Sequence, residues 1–358
     1  MLIAINLQRE NDDWSKLNLY FILELFKIIV PRNPQQQFLF ISDRTEDDFF
    51  SNYNNVEFIK ITSSKNVLKK YTYALKCKQA VKKTDVKLVI QLNYFFDNNS
   101  IPQILLLQHL QPKLKFKKDF QNKFIVTSSE AIKNELINKF QIPEKHIDFI
   151  HFGVKKNYQV LTHQEIEKTK DGYTAGRNYF LFISGIHQPI NLINTLKAFS
   201  IFKKRQLSNM KLVVLNCHNK ISASEQEKLD TYKYKDDLVF VESDTETQVK
   251  KLMAAAYAVL FPSFQNDNYN YLIKTMQNGT AIITSDIEVF KEILGDAALY
   301  VNPNDINSIA NEMQHVYKKE DVRKNKIELG FLQLQKFSWE NSSNKFWSII
   351  ENRLNTRN

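Results

Sequence analysis

Pro262 to Pro303 reads PSFQNDNYNYLIKTMQNGTAIITSDIEVFKEILGDAALYVNP. The apolar run Ala258 to Phe261 ends at Pro262-Ser263 and gives way to a polar, asparagine-rich loop. Apolar residues then recur at helical spacing from Tyr269 to Gln277, and Asn278-Gly279 supplies a helix stop. Ala281 to Thr284 is a short apolar run that reads as the next buried strand. Strand, loop, helix and strand in this order make one unit of a parallel sheet. In open α/β folds, ligands bind beyond the carboxyl ends of such strands.

The same alternation continues on both sides of this stretch. Upstream lie strand Tyr179 to Ser184, helix Leu192 to Lys204, strand Lys211 to Asn216, helix Ser222 to Tyr232, strand Leu238 to Val241 and helix Thr245 to Ala255. The first half repeats the pattern. Strand Leu2 to Asn6 is followed by helix Leu17 to Ile29, which Pro31 and Pro34 are expected to stop. Strands Gln37 to Ser42 and Val56 to Ile61, helix Val67 to Lys82, and strands Lys87 to Leu92, Ile104 to Leu107 and Phe124 to Thr127 come next. Ser128-Ser129 suits the cap of a helix from Glu130 to Phe140, and Ile147 to His151 reads as a short strand. Residues 155–178 are polar, contain Gly172 and Gly176, and read as a linker. The 358 residues suit two domains rather than one core. The expected fold class is α/β with two Rossmann-like parallel-sheet domains, 1–170 and 171–336, and a final helix within 337–358.

Composition narrows the class. Hydrophobic residues at 43% and charged residues at 25% are those of an ordinary globular protein. No apolar run approaches the ~20 residues of a membrane span, and MLIAINLQREND reads as a strand followed by polar residues rather than a leader. Cys77 and Cys217 fall in different expected domains and give neither a disulfide framework nor metal spacing, so a cytoplasmic protein without a metal is expected. The net charge of +10 favours polyanions. Lysines concentrate at 65–87 and 113–123, as solvated helix faces or as a face for an anionic membrane. The basic runs lack a stacking motif or nucleic-acid signature, which argues against nucleic acid.

The chain resembles the retaining, two-domain glycosyltransferases of family four (group 1, GT-B fold). The resemblance rests on VTSSEAIKNELINKFQIPEKHIDFIHFGV (Val126 to Val154), on YFLFISGIHQPINLINTLKAFSIFKK (Tyr179 to Lys204), on GDAALYVNPNDINSIANEM (Gly295 to Met313), and on FSWENSSNKFW (Phe337 to Trp347). It implies facing domains with the active site in the cleft, the final helix Glu340 to Leu354 packed on the N-terminal domain, a nucleotide-sugar ligand and no metal.

The residues that would carry the chemistry depart from that family. Its members have two glutamates separated by seven residues, one on the loop touching the donor sugar and one on the helix accepting from ribose hydroxyls. With Met276 and Gly279 as anchors, the matching positions are Asn266 and Lys274. Asn266 can still accept from a hydroxyl, whereas Lys274 is a donor only. Asp267 either replaces the lost loop carboxylate or is an ordinary turn aspartate. Sugar transfer leaves a diphosphate whose growing charge needs fixed positive groups. The family places an Arg and a Lys after the first strand of its second domain, and here Pro189 and Ile190 stand there. Gly185, His187, the helix start at Asn191, Lys274 and Gly279 remain as donor-site or phosphate-binding candidates. His109, with Gln108, falls at a cleft-lining position, as a hydroxyl or phosphate ligand or as a structural histidine. No glycine precedes Gly153, so the loop Gln8 to Ser15 lacks the residue that best permits close approach to phosphate.

Two functions follow from this pattern. The first is a glycosyltransferase homologue with lost or impaired turnover, binding a nucleotide sugar or glycan in bacterial surface-glycan assembly beside an active transferase. The second is an active retaining glycosyltransferase, moving a sugar to a glycan or lipid-linked acceptor with an altered donor site.

Overall fold

The computed structural model of the chain describes residues 1–8, 13–42, 50, 52–61, 69–92, 94–96, 100–108, 120–154, 160–183, 191–216, 223–243, 245–265 and 269–355. Two compact units emerge: Met1–Lys155 with Phe337–Asn358, and Lys156–Lys336.

The first unit alternates β1 (Leu2–Asn6), α1 (Asp13–Arg32), β2 (Gln37–Ser42), β3 (Val56–Lys60), α2 (Lys69–Lys83), β4 (Val86–Gln91), β5 (Gln103–Leu107), β6 (Lys123–Thr127), α3 (Glu130–Phe140) and β7 (Ile147–Phe149). The strands form one seven-stranded sheet in the order β3-β2-β1-β4-β5-β6-β7. All of its pairs are parallel. The central strands are mostly apolar between their ends because both faces are covered. Tyr73, Cys77 and Val81, one turn apart on α2, pack with Ala4, Leu39, Ile41 and Val89. Burial pushes the Cys77 thiol up to about 12, so it behaves as a small apolar filler.

The second unit runs α4 (His163–Thr174), β8 (Tyr179–Ile183), α5 (Leu192–Gln206), β9 (Lys211–Asn216), α6 (Ala223–Asp230), β10 (Leu238–Glu242), α7 (Glu246–Ala255), β11 (Ala258–Phe261), α8 (Asn270–Gln277), β12 (Ala281–Ser285), α9 (Glu288–Leu294), β13 (Ala298–Val301), α10 (Ile306–Lys318) and α11 (Glu320–Leu334). Its six strands are parallel in the order β10-β9-β8-β11-β12-β13. Phe180, Phe199 and Phe202 anchor its core with Leu212, Leu260, Ile283 and Met313. The last helix, α12 (Trp339–Asn355), belongs to the first unit, where it packs along α1.

Both expected parallel sheets are present, and most boundaries agree within two residues. Ser129 caps α3 as expected, accepting the Ile132 N–H at 3.1 Å. Two expectations need correction. The helix expected to stop before Pro31 runs to Arg32 and carries Pro31 inside its last turn, where the missing proline N–H costs a single intrahelical bond just before the helix ends. Asn33 closes it by donating its side-chain amide to the Ile29 carbonyl at 2.8 Å. The polar stretch read as a linker contains α4, and the expected boundary at residue 170 lies inside that helix. Its stability is local. Thr162 Oγ1 accepts the Glu165 N–H while the Glu165 carboxylate accepts the Thr162 N–H at 2.8 Å. These bonds hold the Glu165 carboxyl below the usual carboxylate range, the Thr162 backbone bond being the largest cause. Tyr173 then receives a hydrogen bond from Gln248 of α7 at 2.6 Å, tying α4 to the second unit.

Candidate nucleotide-sugar site in the second unit

The order of the second sheet turns between β8 and β11. From β8 the chain moves outward to β9 and β10, then returns to place β11 on the other side of β8. That reversal is where open α/β sheets hold ligands, beyond the carboxyl ends. Asn191, Thr195, Ser263, Thr284 and Ser285 furnish the described polar frame there.

Asn191 immediately precedes α5 and is buried. Its amide donates to the Pro262 carbonyl at 2.9 Å and the Pro303 carbonyl at 2.7 Å, joining the segments after β8, β11 and β13. Asn194 donates to the same Pro303 carbonyl at 3.2 Å, and Thr195 Oγ1 donates back to the Asn191 carbonyl at 2.8 Å. From β12, Thr284 Oγ1 donates to the Phe261 carbonyl at 2.9 Å and Ser285 Oγ to the Ser263 carbonyl at 2.5 Å. The base of the loop after β11 is therefore held from both neighbouring strands. The side-chain donors of Asn191 are spent on backbone carbonyls. What remains for an anion at this helix start is the backbone N–H groups of the first turn of α5.

Lys274 lies in the last turn of α8. Its ammonium is 3.1 Å from Glu246 Oε1 at the start of α7, with side chains 39% and 80% exposed. An ion pair so open to water contributes under about 1 kcal/mol, but it directs the lysine toward α7. Tyr269, just before α8, is fully buried. Asp286, the first residue after β12, pairs with Lys291 at 3.0 Å. Hydrogen bonding to Asp286 and then Glu288 holds the Lys291 ammonium above its ordinary pKa.

Gly279 needs a different role from the phosphate contact expected of it. It precedes β12, at the amino edge of the sheet, opposite Asn191. Its φ of +67° ends α8, and a Cβ there would lie 3.0 Å from Phe331 Cζ. It is a turn and packing glycine. Gly185, His187, Pro189, Ile190, Asn266, Asp267 and His109 lie outside the described residues. In the first unit Gln108, beside His109, is fully buried and its carbonyl accepts from Ser128 Oγ at 3.0 Å. Sequence reading did not anticipate Glu246, nor Thr284 and Ser285 as holders of the loop. A serine and threonine ending an otherwise apolar strand were the available signal. Among the described residues there is no group of three potential metal ligands, and no helix is long and apolar enough to cross a membrane.

Comparisons place this arrangement among known proteins. Residues 163–331, nearly all of the second unit, match the family described as Glycosyl transferases group 1. The O-antigen chain mannosyltransferase RfbU of Salmonella typhimurium is 26% identical over 200 residues, 56% of this chain and 52% of that protein. The matched stretch thus spans about half the length of that relative. A crystal structure of a glycosyltransferase from Rickettsia africae superposes with a TM-score of 0.77 at 15% identity, covering 99% of this chain and 98% of that one. HepE of Anabaena, solved in complex with UDP-glucose, gives 0.72 at 11% identity over 98% and 100% of the two chains. The second unit matches the Glycosyl transferases group 1 family model, and the architecture of the chain is the GT-B fold.

Proposed function

We propose that this protein works in surface-glycan assembly as a group 1 glycosyltransferase homologue with lost or impaired nucleotide-sugar turnover, binding a nucleotide sugar or glycan beside an active transferase. The observation that carries this reading is Lys274. At the helix position where the resembled enzymes carry a glutamate, this chain has a donor-only side chain turned onto Glu246. Pro189 and Ile190 supply no side-chain cation for a leaving diphosphate, and Asn191 has committed its amide to two carbonyls. Removing a single donor of this kind typically costs about 10²–10³ in rate. Backbone N–H groups at the start of α5 still suit a phosphate, so binding without turnover is the expected chemistry. The basic α2 helix supports a peripheral place at an anionic membrane surface.

An active transferase with a rebuilt donor site is the second reading. It is favoured by the kinship to a protein named as a mannosyltransferase and by the shared fold with a UDP-glucose complex. Calorimetric titration with UDP-, GDP-, ADP- and dTDP-sugars, followed by hydrolysis and acceptor assays on any binder, separates the two. Binding without turnover is the expected result. Efficient transfer would overturn the reading, and absence of all binding would restrict it to a glycan or protein partner.

A further inference from the structure

Each of the two sheets has two edge strands, whose outer backbone groups can recruit another strand unless something blocks them. Three of the four edges are blocked. β3 carries two exposed charges within the strand, Glu57 and Lys60. β7 is three residues long, and Arg353 of α12 holds its Asp148 at 2.7 Å. β13 has four residues, all buried except the half-buried Tyr300, whose hydroxyl donates to the Gly295 carbonyl at 2.6 Å. β10 differs. It reads LVFVE, with no proline and no charge before its last residue. Leu238 and Val239 are half-buried, and Phe240 in mid-strand is 42% exposed. β9 pairs with one side of β10, and among the described residues no strand pairs with the other.

The two ends of β10 carry opposite charge. The approach, Thr231 to Asp237, reads TYKYKDD and exposes Lys233 and Lys235. Of its two carboxylates, Asp237 is taken up by Lys203 at 2.9 Å and Lys211 at 3.0 Å, which leaves Asp236 against both exposed lysines. The exit, Glu242 to Glu246, reads ESDTE, three carboxylates and no cation. Glu246 is shared with Lys274, whereas Glu242 stands exposed at the end of the strand. In an antiparallel pair the start of each strand lies beside the end of the other. Two copies of β10 laid antiparallel therefore bring the basic approach of each beside the acidic exit of the other.

We propose that the β10 edge is a homodimer interface, joining the second-unit sheets of two copies into one continuous sheet. Side chains alternate between faces along a strand. With the two-fold axis at Val239, Phe240 of one copy then lies across from the partner's Leu238 on the same face, and both leave water. A second copy matches the charge pattern at both ends by symmetry, which an unrelated strand does not. The contact is isologous, so assembly stops at two copies. Five residues a side make a short edge, and a dissociation constant on the order of micromolar is expected. The interface does not depend on whether the second unit binds or turns over a nucleotide sugar.

Sedimentation velocity of the full chain between about 1 and 100 µM tests it. The protein should pass from monomer to dimer over this range, and salt should favour the monomer. Phe240→Lys places an ammonium in the centre of the joined edge and should weaken the dimer at least about tenfold. Lys233→Glu with Lys235→Glu should also weaken it, and adding Glu242→Lys to that pair should recover part of the loss. Circular dichroism checks that each variant folds. The lysine pair lies outside the strand and decides the matter if Phe240→Lys does not fold. A chain that stays monomeric throughout would leave this edge to another protein and overturn the proposal. So would growth beyond the dimer, or a dimer whose affinity is unchanged in the folded variants.

Discussion

Leu207 ends α5 in the left-handed region, with φ of +47° and a side chain 91% exposed. Its N–H closes the helix onto the Lys203 carbonyl at 3.0 Å, so the backbone shape is fixed while the side chain packs on little. A left-handed conformation costs an ordinary L-residue roughly 1–2 kcal/mol, and glycine avoids that cost. Leu207→Gly should therefore stabilise the second unit by about 0.5–1 kcal/mol after the greater unfolded-state freedom of glycine is offset. Denaturant unfolding monitored by circular dichroism measures it, and a fall in midpoint would contradict it. With only seven glycines in 358 residues, Ala175 and Gln141 take the same conformation at other helix ends. Lys274 carries the second residue-scale prediction. Lys274→Glu restores the family's carboxylate but sets it beside Glu246 and leaves Pro189 and Ile190 in place. Transfer from nucleotide sugars should stay at background, and substantial activity from that change alone would defeat the account of a missing diphosphate clamp. The proposed substitutions at Asn266 and Lys274 rest on the register that Met276 and Gly279 anchor in the sequence. Glu246 was not legible there, because its meeting with Lys274 depends on packing between α7 and α8.

Parallel strands covered on both faces read as short apolar runs, which is why β8, β9, β11 and β12 could be located from sequence within a residue or so. Helix α4 was missed because its signal is a capping box in a polar stretch, and only its packing against α7 makes that stretch part of the second unit. Helix α2 shows what periodicity adds to composition. Its six lysines and lack of any acidic residue could be counted directly. The structure adds that Tyr73, Cys77 and Val81 face the sheet, while Leu75, Lys76, Lys82 and Lys83 are exposed. A basic outer face with an exposed leucine suits a layer of anionic headgroups, at about 1 kcal/mol per lysine near the surface. The protein should co-sediment with vesicles containing phosphatidylglycerol and not with pure phosphatidylcholine, and salt should weaken the association. The triple change Lys76→Glu, Lys82→Glu, Lys83→Glu should abolish it. Undiminished binding by that variant would exclude α2 as the contact.

At the scale of the whole molecule, the first unit is closed by residues from the far end of the chain. Phe346 meets Phe26 of α1 edge-on at 6.3 Å, and Trp339 packs on Phe21 and Phe152 with ring centroids 5.6 and 6.1 Å away. Gly153 leaves room for this approach, since a Cβ there would lie 2.3 Å from the Trp339 backbone nitrogen and ring. Ser342 and Ser343 donate to the carbonyls of His151 and Leu25 at 2.8 and 3.3 Å, and Arg353 binds the Asp148 carboxylate at 2.7 Å. Trp339, Phe346, Ile349 and Ile350 are all buried. Burial of each such side chain is worth about 1.5–3 kcal/mol, and together they approach the roughly 5–15 kcal/mol that holds a domain folded. Lys156–Lys336 has its own sheet and core. A chain ended after Lys336 should therefore lose the calorimetric transition of the first unit and keep that of the second. Retention of both transitions would show that α12 covers the first unit without holding it together. Loss of both would show that the second unit depends on the first for its stability.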